Sequence, residues 1–219
     1  AQLSDAWGVP VSVENEVNLS AVAEHRVGAA RGHDMFAQIH LGAGVGLAVV
    51  LRGTLHRGAT GGAGEIGYLP VPGADFGPFH RDGTTPATGG FQSYVGGEAI
   101  KALAAEHGLP AAADPAATIA AARTAGEAGD RFLEVFASRI AVGAASVCAV
   151  LDPGFIVLGG DVGRAGGARL AALVQRAIAR VSPLHPLVSP TELGDDAVLT
   201  GATMTGLDAA RDEVFGTAD

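Results

Sequence analysis

Nine glycines crowd the stretch from Leu41 to Tyr68, LGAGVGLAVVLRGTLHRGATGGAGEIGY, around one apolar strand. Glycine at this density marks tight turns or close backbone approach, because no Cβ blocks either. The first turn, Gly42-Ala43-Gly44-Val45-Gly46, lies between two apolar strands, and its amide N–H groups are placed to cradle an anion. The second, residues 61–67, presents one carboxylate, Glu65, as an acceptor for ligand hydroxyls. A purely structural pair of glycine hairpins accounts for the same residues, so the stretch alone leaves ligand binding and simple turn formation open.

The surrounding pattern is that of an α/β chain. A short strand is expected over 9–13, followed by a helix from Asn18 as N-cap to about residue 30, with Leu19, Val22, Ala23 and Val27 at helical spacing. Asn15 and Glu16 then fall at the end of a strand, where α/β folds place ligands. Strands over 35–40, 47–51 and 54–57 form a meander with a tight Arg52-Gly53 turn, and 66–71 adds another. Residues 72–90 read as a long loop. Helices follow over 94–108, 115–128, 130–150, 169–181 and 202–215, with strands at 155–158 and 197–200.

Charge and cysteine content narrow the function. The net charge is −9 with no run of Lys or Arg, which excludes a phosphate-backbone grip by this segment. DNA would be reached only through a segment outside this chain. The single cysteine, Cys148, sits in an apolar run and reads as a small buried hydrophobe. No segment reaches about 18 uninterrupted apolar residues, so a cytoplasmic protein with no membrane span is expected. His25, His33, His40, His56, His107 and His185 show no ligand-like spacing and read as ordinary core or surface histidines.

Several segments together resemble one family. VENEVNLSAVAE (13–24), the glycine-rich 41–68 stretch, DPGFIVLGGDV (152–162) and LTGATMTGLDAA (199–210) are similar, in order, to the large lobe of ROK proteins. These are repressors, open reading frames and sugar kinases. The resemblance implies an actin-like ATPase, ribonuclease-H-like fold with a mixed sheet flanked by helices. It implies one large lobe over 1–219, without the family's N-terminal small lobe or a helix-turn-helix. The family's sugar pocket maps to Asn15, Glu16, Glu65, Tyr68 and Gln92, and its phosphate and nucleotide loops to Gly42, Ala43, Gly44, Gly159 and Gly160.

Departures from the family pattern point away from catalysis. The kinases carry an Asp as base where this chain has Glu16, and a longer side chain shifts the basic oxygen by about 1 Å, a displacement that can cost about a hundredfold in rate. The phosphate turn usually carries Thr where this chain has Ala43. The family's zinc-binding His is Tyr68 here, and its cysteines align with RDGTTPATGG (81–90), which leaves only His80 nearby. Zinc is therefore not expected, nor ATP as a cofactor. The resemblance implies a sugar-sensing effector domain of a homodimeric transcriptional regulator. The alternative is the large lobe of a divergent ATP-dependent sugar kinase.

Overall fold

The structure is a computed structural model and describes residues 2–71 and 89–216. A five-stranded mixed sheet has the order β3-β2-β1-β4-β5. Its strands are β1 (Phe36–Leu41), β2 (Val45–Leu51), β3 (Thr54–Leu55), β4 (Phe155–Gly159) and β5 (Leu187–Pro190). β1 runs parallel to β4 with His40 beside Gly159, and β4 parallel to β5, whereas β2 returns antiparallel from Leu41↔Val45. The turn between β2 and β3 has positive φ at both Arg52 and Gly53, the geometry that matches strand twist in a two-residue hairpin.

Strand alternation sorts the core onto two faces. Phe36, Val50, Phe155 and Val157 pack beneath α2 (Glu16–Val27), which in turn packs on α8 (Ala197–Phe215). Ala37, Ile39, Leu41, Ile156 and Leu158 point the other way, into a larger core with α6 (Gly126–Leu151) and α7 (Gly160–Val181). α4 (Gly97–Glu106) and α5 (Pro115–Ala122) complete that side; before them lie α3 (Gln92–Val95) and, at the N-terminus, α1 (Gln2–Trp7). By length and composition α6 could cross a membrane, which the search for uninterrupted apolar runs missed. Half of the qualifying stretch is buried within the protein, and Phe132, Phe136 and Ile140 are fully enclosed.

Several boundaries differ from expectation for identifiable reasons. Residues 9–13 form no strand, since no partner ladder for them exists among the described residues and Val13 is 92% exposed. Asn15, not Asn18, caps α2: its φ/ψ is extended (−64°, 139°), and its Oδ1 accepts from the amides of Val17 (2.8 Å) and Asn18 (3.4 Å). Asn15 and Glu16 therefore stand at a helix start and not at a strand end. Residues 66–68 wind into a 3-10 turn, leaving only a single bridge, Pro70↔Gly90, where a strand was expected. Gly96 splits the expected 94–108 helix into α3 and α4. The fifth strand is Leu187–Pro190, while 197–200 begin α8. Pro190 is compatible with a strand there because β5 is an edge. The expected loop at 72–90 lies outside the described residues except for its end.

One buried carboxylate ties the α2 side together. Glu24 is fully enclosed, accepts the Ala29 amide at 2.7 Å on Oε2 and a hydrogen bond from the Thr191 hydroxyl on Oε1. Gly28 leaves the room: a Cβ there would come within 2.9 Å of the carboxylate carbon. Burial pushes the Glu24 acid up, against the lowering effect of the Thr191 and Ala29 hydrogen bonds. A raised carboxyl stabilises the fold below the ordinary range near 4.5 and loses that contribution as pH rises through the folded value. Glu24→Gln can keep both hydrogen bonds, with Thr191 turning to donate to Leu193 O. We expect it to cost under about 1 kcal/mol at pH 4.5. Denaturation from pH 4.5 to 8 should show the wild type losing ground to the variant as pH rises; a constant difference would refute the assignment.

Candidate functional site

The C-terminal end of β1, paired there with β4, meets the N-terminus of α2, and a cleft of about 190 Å³ opens between them. Asn15, Glu16, His40, Gly44, Gly64 and Glu65 are among its lining residues. Three residues predicted for sugar binding thus converge from segments fifty residues apart. Glu14 secures this corner. It accepts from Asn18 Nδ2 (2.8 Å), from the Asn15 amide (3.0 Å) and from Arg57 Nε (2.6 Å), so the start of α2 is bound to the segment leaving β3. Burial alone would raise the Glu14 carboxyl, but these hydrogen bonds and the Arg57 charge outweigh it and hold the acid below its ordinary range.

Glu65 is held by backbone alone. Leu47 donates its amide to Gly64 O at 3.0 Å, and Gly64 adopts φ +95° where a Cβ would meet the Leu47 carbonyl. The Glu65 side chain is exposed and, among the described residues, makes no hydrogen bond or ion pair; it does not cap its turn. Glu16 is likewise exposed, in the first turn of α2, where the macrodipole favours its charge.

Two expected pocket residues lie elsewhere. Gln92 does not line the cleft. Its Oε1 accepts the Val45 amide (2.8 Å) and its Nε2 donates to Ala43 O (3.1 Å), so both ends of the amide brace the first glycine turn. Tyr68 faces an apolar groove between β2 and the end of α6, beside Val147 and Val150, and not the cleft.

The first glycine turn is also less open than its composition suggests. The Gly42 amide donates to Gly44 O (3.0 Å) and the Val45 amide to Gln92, which leaves Ala43 and Gly44 as the amides available to an anion. Gly159 and Gly160 lie against the end of β1, Gly159 beside Gln38 and Gly160 beside Leu41 and His40. Gly160 has φ +74°, and a Cβ there would strike the Leu41 carbonyl and lie 3.0 Å from His40 Nε2.

His40 was read from sequence as an ordinary histidine, and the structure gives it a central place. It lines the cleft just described and a second one of about 250 Å³ bordered by Ser20, Gly160, Asp161, Arg164 and Thr191. Its Nδ1 is buried without a hydrogen-bond partner among the described residues. Burial pushes the imidazole down, opposed by the charges of Glu16 and Asp161. One signal was available in the sequence: Gln38 and His40 are polar at i and i+2, on one face of an otherwise apolar strand.

Among the described residues no donor set fits tetrahedral zinc. Tyr68 stands at the imidazole position, and Cys148 is buried in α6 with its thiol pushed up by burial and by the Asp152 charge. Among the described residues no three His, Cys, Asp or Glu side chains gather as a metal site. His80 and most of the segment aligned with the family's cysteines lie outside the described residues.

A family model described as the ROK family matches residues 1–208. The bifunctional enzyme NanE/NanK of Brucella melitensis is 37% identical over 202 residues, covering 91% of this chain and 36% of that enzyme. The chain thus spans little more than a third of that relative's length. The xylose repressor of Bacillus subtilis is 34% identical over 71 residues, 32% of this chain and 18% of the repressor. The ROK hexokinase from Thermus thermophilus superposes with a TM-score of 0.75 at 30% identity, over 96% of this chain and 69% of that one. The mixed sheet with its flanking helices is the actin-like ATPase fold of these neighbours.

Proposed function

The chain belongs to the ROK family, and on that premise we propose that it is the sugar-sensing, effector-binding part of a ROK-type transcriptional regulator, without kinase chemistry of its own. The state of the first glycine turn carries this reading. Phosphoryl transfer depends on donors and cations aimed at the transferring group. Here the turn has no side-chain hydroxyl at Ala43, and two of its amides are already used by Gly44 O and Gln92. Asn15, Glu16 and Glu65 still converge on one cleft as hydroxyl-binding groups. Sugar binding would bias a two-state arrangement of the full-length protein, and DNA would be read by a segment outside this sequence. Neither zinc nor ATP is part of this reading.

A second reading, the large lobe of a sugar kinase, is favoured by one observation: Glu16 retains a carboxylate at the base position within the same cleft. ADP release and calorimetry on the full-length protein separate the two. With a panel of monosaccharides and Mg-ATP, we expect at least one sugar to bind with a Kd between about 1 μM and 1 mM and no sugar-dependent ADP release. Sugar-dependent turnover would establish the kinase reading. Absence of any carbohydrate binding would remove both.

A further inference from the structure

We infer that the Glu16–Glu65 cleft and the Asp161–Thr191 cleft are two halves of one binding site joined at His40, and that this site takes an uncharged ligand of two sugar rings. The inference rests on the sugar-binding reading above and extends it to the class of ligand.

The two clefts lie along one face of α2. Glu16 and Val17 border the first and Ser20 the second, three to four residues on, a separation of about 5 Å along the helix axis. Among the described residues His40 is the one that borders both. Neither volume, about 190 and about 250 Å³, reaches the roughly 300 Å³ at which small-molecule sites begin, whereas the two taken together do.

The imidazole is suited to bridge a ligand across that junction. With Nδ1 buried and unpartnered among the described residues, we assign the proton of the neutral ring to Nε2, the nitrogen left to meet a ligand. Nε2 faces the space between the glycine turns, 3.6 Å from the Cβ position of Gly42 and 3.0 Å from that of Gly160. It is placed to donate to an oxygen lying between two rings.

Charge selects against a phosphorylated ligand. Glu16 stands on one side of the imidazole and Asp161 on the other. Arg164, the cation of the second cleft, is held by Asp161 at 3.0 Å and Asp195 at 2.6 Å. The N-terminus of α7 contributes about half a positive charge, less than the two carboxylates oppose. Hydroxyl groups, in contrast, find acceptors in every one of these acids.

Calorimetry on the full-length protein with glucose, glucose 6-phosphate, maltose, cellobiose and sucrose tests the inference. At least one disaccharide should bind about tenfold or more tighter than glucose, and glucose 6-phosphate no tighter than glucose. His40→Leu should bring that disaccharide to within about threefold of glucose, both measured on the variant. His40→Gln, which keeps an N–H near the Nε2 position, should restore part of the preference. Val198→Trp, at the edge of the second cleft, should remove it without touching His40, which keeps the test informative if the His40 variants do not fold. The inference fails if glucose binds as tightly as every disaccharide, if the preference survives both substitutions, or if the phosphorylated sugar binds tightest. Binding of glucose alone overturns only the two-ring site, whereas binding of no carbohydrate overturns the sugar reading with it.

Discussion

Replacing Gly64 by alanine is expected to cost about 2–5 kcal/mol of stability, the sum of left-handed backbone strain and overpacking. Gly64 has φ +95°, and its Cβ position runs into the Leu47 carbonyl, with the carbonyl carbon only 2.9 Å away. The neighbour is strand backbone and cannot rotate aside. Leu47 also donates its amide to Gly64 O, so any shift that relieves the clash breaks the bond that places Glu65. For a chain of this size the midpoint of thermal unfolding should fall by about 4–20 °C. Gly61 supplies the control. Its φ is +82°, but nothing lies within 4 Å of its Cβ position, so Gly61→Ala should show the strain alone, about 1–2 kcal/mol. Equal losses for the two variants would show that the contact with Leu47 contributes nothing.

What could be read before the fold was known follows from how local each signal is. The strand alternation of 36–41, the two-residue turn at Arg52-Gly53 and the long apolar periodicity of α6 are local, and each produced its element. Residues 187–190 carried no strand reading because an edge strand of four residues in a proline-rich segment has almost no signal of its own; its pairing with β4 creates it. Residues 197–200 carry β-branched and apolar residues that suit either state. The helix is selected by the packing of α8 on α2, where Gly201 lies directly against the Leu19 backbone.

The cleft divides the same way. Asn15, Glu16 and Glu65 were found because turn chemistry and family resemblance both act on short segments. Gln92 lies off the cleft lining and makes a pair of hydrogen bonds to backbone 47 and 49 residues away, which no spacing rule registers. Tyr68 follows Glu65 by three residues, yet the 3-10 turn from Ile66 to Tyr68 leaves it in the groove beside α6, which Glu65 also borders, and off the first cleft. His40 was passed over since each histidine was weighed for metal spacing and not for its place on a strand face. The lesson is that a polar residue on a strand buried from both sides carries information even when it has no like neighbours.

Glu65→Ala should weaken sugar binding by about 10- to 150-fold, the loss of hydrogen bonds to a charged acceptor worth about 1.5–3 kcal/mol. Stability should stay within about 0.5 kcal/mol of wild type, because the side chain is exposed and makes no hydrogen bond or ion pair among the described residues. A position whose removal affects ligand and not fold is a binding residue, and few others here separate the two so cleanly. Glu16→Ala is the contrasting case. Its carboxylate also faces the positive end of α2, so about 0.3–1 kcal/mol of stability should go with any loss of affinity. Glu65→Gln keeps an acceptor oxygen but not the charge, and its affinity should fall between those of wild type and alanine. Calorimetric titration with whichever sugar binds the full-length protein, beside thermal unfolding of the same samples, reads both quantities. Unchanged affinity in Glu65→Ala would take this residue out of the site and leave the turn at Gly61–Gly67 a structural hairpin, the reading its glycines allow when taken alone.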